Sequence, residues 1–468
     1  MKNRTTARVL AVLAAITASA VLLPAAASAE PIGSIVQLST FSPTINNTSG
    51  GSTAIATNNA SGVTVAAWAG SETGTSATLN VAVIGVDGAA GTTAVYQPTS
   101  AFWLGAQGTN APVSIDAGAD GGFLATWNNG QNDAAVYGIR IASNGAFIGD
   151  AFAISSNVNY VDTETTAAAW SSVDNRYLVT WKTNVSAAFP ATPGQKLVGR
   201  FFDGAGTALG ADFVITDPAD QVDDSLDTAF GNGIWVVVGK SYTGGTTHVV
   251  ASTVRASGVI GPQFSVPGPG GSSSESPSIA YNASLNQFLV VSRSGSTIWV
   301  QTLDGTGAIV GAPISIAAVA AGKARVASTG PNGWLLAWHS NGGAQVSGIA
   351  LNAATVPQGV PALLSAGTGG QNNFRPEVSF STVTGQAYIV WSRRIAADNA
   401  TNVVVRAWAV APGIPLVVAA PPVTPIITPT LAATGVNSFA NGALLFGGAL
   451  ALAAGAVLLI TRRRHGVV

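Results

Sequence analysis

Between residues 30 and 434 the chain has two histidines, His248 and His339, and the whole sequence has no cysteine. A zinc site of the Cys/His kind needs three or four ligands, so that chemistry has nothing to build on, and thiol chemistry is excluded with it. A Ser-His-Asp triad would have to use one of the two histidines. No Gly-x-Ser-x-Gly or His-Glu-x-x-His segment is present to direct one. Carboxylates are available for glycan cleavage, which needs two of them flanking a cleft, but no spacing singles out a pair. Five aspartates, Asp217, Asp220, Asp223, Asp224 and Asp227, crowd one stretch. Oxygen-rich loops can hold Ca²⁺, which makes this group a calcium candidate. Its spacing matches no EF-hand, so a solvated acidic loop is the plainer reading. No other cofactor is expected.

A second set of charges is ordered by repetition. Lys182, Lys240, Arg293 and His339 each follow the same position of a recurring segment, and Glu164, Asp224 and Glu275 precede it by one strand length. Pairs such as Glu164 with Lys182, Asp224 with Lys240 and Glu275 with Arg293 would then stand at one end of successive repeats. They can be ion pairs contributing about 0–1 kcal/mol each where exposed, or the rim of a face that contacts a polar ligand.

The elements that must carry these residues are short strands. The segment reads Gly62-Val-Thr-Val-Ala-Ala-Trp68, Gly122-Phe-Leu-Ala-Thr-Trp127, Arg176-Tyr-Leu-Val-Thr-Trp181, Gly333-Trp-Leu-Leu-Ala-Trp338 and Gln386-Ala-Tyr-Ile-Val-Trp391. Degenerate copies end at Gly239 and Ser292, which makes seven copies about 54 residues apart between Trp68 and Trp391. Each has an apolar run before it and two after it. The last two are separated by turn signals such as Asp87-Gly88, Asn144-Gly145, Asp203-Gly204 and Asp304-Gly305, where the glycine is expected to supply a positive φ. Four strands per repeat, with the second apolar on nearly every position, require burial of both its faces. Charged residues are only 9% of the chain and glycines number 55, a balance that favours β structure with tight turns. The fold expected is all-β, a seven-bladed β-propeller over residues 30–410. The run at 35–39 looks like a fourth strand and is expected to complete the last blade. The tryptophans are expected to pack between blades, with looser packing at the two copies that lack them.

The ends read as targeting signals. Lys2, Arg4 and Arg8 precede an apolar run at 9–23, Pro24 and the small-residue pattern Ala27-Ser28-Ala29. This is the pattern of a secretory signal peptide over 1–29, cut before Glu30. Residues 411–430, rich in Pro and Thr, read as an extended spacer reaching about 60 Å. Then come Leu431-Ala432-Ala433-Thr434-Gly435, an apolar stretch at 439–460 long enough to span a bilayer, and Arg462, Arg463 and Arg464, which hold that end in the cytoplasm. With both ends removed the chain has 14 basic and 21 acidic residues, a formal charge of −7, and no polybasic tract for nucleic acid.

The arrangement over 431–468 resembles the cell-wall sorting signal of Gram-positive surface proteins, whose pentapeptide is usually Leu-Pro-x-Thr-Gly. With Ala432 at its second position it looks like the actinobacterial Leu-Ala-x-Thr-Gly variant. The resemblance implies transient membrane insertion, cleavage between Thr434 and Gly435 by a sortase-type transpeptidase, and linkage to cell-wall peptidoglycan. The function expected is a non-catalytic binding or adhesion module for extracellular glycans, wall polymers or proteins. The alternatives are an extracellular carbohydrate-active enzyme and a structural envelope protein.

Overall fold

The computed structural model describes residues 30–39, 53–70, 78–97, 113–118, 120–128, 135–156, 165–185, 194–217, 221–243, 246–269, 275–318, 321–340, 345–365, 372–394 and 401–410. The signal, spacer and sorting segments lie outside them, Leu431, Ala432, Ala433, Thr434 and Gly435 included. No helix among the described residues is long and apolar enough to cross a membrane.

Short apolar runs broken by Gly, Asn and Asp fold here as antiparallel hairpins. They form seven sheets of four strands each. The innermost strands of blades one to seven are Thr53–Asn58, Val113–Ala117, Thr166–Ser171, Val222–Gly231, Glu275–Asn282, Ala321–Ser328 and Asn372–Ser381. Each touches the innermost strand of the next blade, and the seventh touches the first, so the chain closes into a propeller around a central channel.

Closure uses the N-terminal strand, as expected. Glu30–Gln37 is the outermost strand of blade seven and pairs with Thr401–Ala409, with Glu30 opposite Ala409. Between blades seven and one, the Thr53 hydroxyl donates to the Arg375 carbonyl at 2.9 Å. A closed ring leaves no long sheet edge open between the two ends of the domain.

The core lies between blades. Trp127 packs against Val65, Ala67 and Val81 of blade one, and Trp181 against Leu124, Val136 and Ile154 of blade two. Trp338 likewise meets blade five, and Trp391 meets blade six. Each is 2% exposed or less.

The two copies without tryptophan are not loosely packed. In blade five the ring has moved to the adjacent strand. Trp299 stands directly opposite Ser292, is fully buried, and packs on Val236, Val238 and Val249 of blade four. In blade four the space beside Gly239 is filled by Leu197 and Val222, and a Cβ at 239 would come within 2.9 Å of the Leu197 side chain.

The turns between third and fourth strands differ from expectation in one respect. In blades three and five the positive φ falls at Gly206 and Gly307 (85° each), not at Gly204 and Gly305. Asp203 and Asp304 instead open the turn. Each side chain accepts two backbone N–H groups, from Ala205 and Thr207 at 2.9 and 2.7 Å, and from Thr306 and Ala308 at 2.8 and 3.0 Å. The short acid caps the turn and the glycine closes it.

Blades four to seven each carry a bulge near the start of the innermost strand, before Leu226, Ser278, Ala324 and Glu377. Two bulge residues, Ser276 (φ 54°) and Arg375 (φ 49°), sit in the left-handed region. A bulge re-aims the side chains around it, and these four all lie at the same mouth of the channel.

Candidate functional site

An innermost strand has a partner on one side only. The N–H and C=O groups on its other edge face the channel and need acceptors and donors. Side chains of the neighbouring blade supply some of them. The Asp116 carboxylate accepts the Trp170 N–H at 2.7 Å, and the Ser114 hydroxyl accepts the Ala168 N–H at 3.3 Å, joining blades two and three. The Asp227 carboxylate accepts the Ile279 N–H at 3.0 Å and its own neighbour's, Thr228, at 2.8 Å, joining blades four and five. Between blades six and seven, Arg325 donates Nε–H to Glu377 Oε1 at 2.7 Å. Hydroxyl pairs also bridge neighbouring blades: Thr180 and Thr228 share a hydrogen bond at 2.7 Å, and Ser379 donates to Thr57 at 2.9 Å.

The channel encloses about 500 Å³, and all seven innermost strands line it. Among the described residues, Asp116, Asp227, Arg325 and Glu377 are the charged ones in its wall. Burial pushes the Asp116 carboxyl up to about 7, against the hydrogen bonds from Trp170 and Ala117 that pull it down. Burial likewise raises Asp227 and Glu377, with Arg325 opposing in each case. Burial works against the Arg325 charge, but Glu377 and Asp227 outweigh it and hold the guanidinium protonated.

A carboxyl that binds its proton more tightly folded than unfolded costs stability as pH rises. The cost is absent below the unfolded pKa, grows between about pH 4 and 7, and is complete above that window. Allowing for water in the channel, Asp116 lowers stability by about 2–4 kcal/mol at pH 8 relative to pH 4. Asp116→Asn keeps an oxygen for Trp170 and removes the charge. Urea denaturation at a series of pH values is expected to show a flatter profile for this variant and a more stable protein above pH 7. A profile unchanged from the parent would mean that Asp116 titrates as an ordinary solvated acid.

Around the channel mouth, on blades five to seven, basic residues converge. Arg293, Lys323, Arg325, His339 and Arg375 are all half-buried. The His339 ring lies against the Gly322 backbone and meets the edge of Phe374, with ring centroids 6.2 Å apart. Burial, then Lys323, Arg375, Arg325 and Arg293, depress His339 to about 4, so it is neutral at pH 7 and adds no charge to the rim.

The other residues singled out from sequence are dispersed. Lys182 is buried at 1% exposure, and its backbone N–H donates to the Thr165 carbonyl at 3.3 Å. Lys240 lies half-buried within the second strand of blade four, Ile234–Thr243. Glu275 stands opposite Arg293 in the strand register. Its side chain, those of Asp223 and Asp224, and all of Glu164 and Asp220 lie outside the described residues. Asp217 is exposed; its N–H donates to Gln263 at 2.8 Å. Asp227 is the member of the acidic stretch that reaches the channel. Among the described residues no three His, Asp or Glu side chains are placed to hold a metal. His248 and His339 are on blades four and six and do not meet.

Sequence reasoning missed Asp116, Arg325 and Glu377. A usable signal existed: Asp227 and Arg325 each directly follow the residue that pairs with the tryptophan position of their blade. Bulges in the innermost strands of blades four to seven shift that alignment, and Asp116, on a strand without one, lies three residues beyond the partner of Trp127.

No family model matches the chain, and no curated protein matches it. Among solved structures it is similar to a protein of unknown function from Dyadobacter fermentans, 10% identical with a TM-score of 0.47, over 64% of this chain and 94% of that one. It is similar to the Hadza microbial sialidase Hz136, 12% identical with a TM-score of 0.45, over 70% of this chain and 73% of that one. It is also similar to the six-bladed, fucose-recognising lectin of Aleuria aurantia, 14% identical with a TM-score of 0.42, over 68% of this chain and 98% of that one. These likenesses are too distant to carry a ligand or an activity to this chain.

Proposed function

We propose that this chain is an exported, wall-anchored surface protein of a Gram-positive bacterium and that its propeller is a glycan-binding module with the channel mouth as its binding face. The observation that carries the binding reading is the channel itself. A space of about 500 Å³ is of the size that holds one or two sugar rings. Its wall alternates hydroxyls, carboxylates and a guanidinium with strand-edge backbone groups, the donors and acceptors that sugar hydroxyls require. The anchoring reading rests on the order of pentapeptide, apolar stretch and arginines, together with the N-terminal signal. Cleavage after Ala29 would remove no residue of the closing strand as described, Glu30–Gln37.

An enzyme on the same scaffold is the second reading, favoured by one observation: Asp116, a channel carboxyl that titrates near neutrality, as a general acid must. The test has two arms. In the producing cell, the protein is expected in the wall fraction, released by wall-digesting enzymes, with residue 30 first and residue 434 last by mass spectrometry. Thr434→Ala is expected to leave it in the membrane fraction, and equal wall attachment of that variant would refute sortase anchoring. The domain over 30–434 is then titrated with glycans. Binding that Asp116→Asn leaves intact, without turnover, supports a binding module. Turnover abolished by the same substitution supports the enzyme.

A further inference from the structure

The strand that leads the chain out of the ring is held differently from its counterparts. In blades one to six the last strand of the repeat is the outermost of its sheet and has a ladder on one side only. In blades three and six that ladder is two residue pairs long. In blade seven the last strand of the repeat, Thr401–Ala409, is enclosed. It pairs with Gln386–Arg394 at nine consecutive positions, from Thr401 opposite Arg394 to Ala409 opposite Gln386. On its other side it pairs with Glu30–Gln37. Its side chains are gripped as well. Val403, Val404, Val405, Ala407 and Trp408 are at most 1% exposed. Val403, Val405 and Ala407 share a cluster with Ala66, Trp68 and Ala82 of blade one, and Val404 and Trp408 share one with Leu335, Ala337 and Val346 of blade six. Arg406 donates to the Leu364 carbonyl of blade six at 2.9 Å. Where the strand ends, Gln386 exchanges two hydrogen bonds of 3.2 Å with Asp87 of blade one.

The direction of this strand matters too. Ala409 lies beside Gln386, and Gln386 beside Ser381, the last residue of the innermost strand. The four bulges lie near the starts of the innermost strands. The chain therefore leaves the ring at the end opposite the mouth that the bulges surround.

We infer that Thr401–Ala409 is the tension-bearing strand of the protein: force between an anchor beyond Val410 and a ligand at the bulged mouth runs along it and loads its two ladders in shear. The inference rests on the anchored, ligand-binding reading and adds to it how the ring withstands the pull. Antiparallel ladder bonds lie across the strand, so a pull along it strains all of them together. Unfolding under force is governed by the unfolding rate rather than by equilibrium stability, and the grip on the pulled strand sets that rate. Glu30–Gln37 thus shuts the ring and also forms the second side of a clamp on the strand that leads to the anchor.

The chain has no cysteine, so Tyr242→Cys supplies a single handle. Tyr242 is exposed and follows Ser241, which pairs with Val222 at the bulged end of blade four. The domain over 30–434 is pulled in optical tweezers between that handle and residue 434, and separately between the handle and residue 30. Both pulls act from the same end of the ring on neighbouring strands, one with two ladders and the other with one. The first rupture is expected at about twofold higher force or more through residue 434. Equal forces, or the lower force through residue 434, would overturn the inference. The comparison needs no disruptive variant and does not depend on sorting. A chain that fails the wall-fraction test yet shows the force difference refutes the anchoring reading alone. A chain that is wall-linked and shows no difference refutes the clamp alone.

Discussion

Replacing Arg325 by methionine is expected to lower the unfolding free energy by about 1.5–3 kcal/mol at pH 8, the range for a hydrogen bond between charged groups, here in a half-buried pair. Glu377 loses the Nε–H donor at 2.7 Å, and Asp227 loses the cation that most offsets its burial. The larger part of the loss is then the penalty of two carboxylates left in the channel wall without a counter-charge. Two further measurements separate this from lost packing. Glu377→Gln in the Arg325→Met background should restore part of the stability, since the amide is neutral. The deficit should also shrink on acidification. Glu377 and Asp227 already have folded pKa values above their unfolded ones, and losing the guanidinium raises them further. Their cost is therefore absent below the unfolded values and grows as pH rises. A deficit equal at pH 4 and pH 8, with no recovery from the glutamine, would show that Arg325 acts through its aliphatic stem.

Trp127→Ala should cost more, about 3–5 kcal/mol, the usual cost of deleting a buried large aromatic and leaving a cavity. Trp127 is fully buried and spans the contact between blades one and two. The two blades share one cluster, so the loss is expected as a single cooperative transition at lower urea, read by circular dichroism. Tyr242→Ala is the matching control. That ring is 55% exposed, and its removal should change stability by less than about 0.5 kcal/mol. An equally small effect at Trp127 would mean that the blades do not depend on one another for their packing.

Both experiments bear on the proposed function, because the channel wall is built from the same contacts that join the blades. Asp116 and Asp227 hold neighbouring blades by accepting N–H groups across the seam. Any ligand that enters the channel meets carboxylates already committed to structure.

How much of this was legible in the chain depends on the distance over which each feature is set. Strand content, seven repeats and the order of strands within a blade were readable from apolar runs and turn residues, because a hairpin joins residues close in sequence. Closure by the N-terminal strand was readable too, since a lone fourth strand ahead of the first repeat has one vacant position to fill. The tryptophan was readable as an inter-blade residue from its place on a strand buried on both faces. Its replacement in blade five was not: Trp299 fills from the neighbouring strand the space that Ser292 leaves, and nothing within that repeat alone marks the exchange. The charged channel was hidden for a related reason. Asp116 is the lone charge of its strand, Asp227, Arg325 and Glu377 share theirs with other charged residues that do not line the channel, and register shifts at the bulges of blades four, six and seven displace the positions that would align these three. The sequence by itself therefore determined the blade, the number of blades and the way the ring is shut, since these follow from local periodicity and its repetition. Only the tertiary structure decided which side chains share the channel and its mouth, because residues from Asp116 to Glu377 become neighbours through ring closure, and no local pattern encodes that meeting.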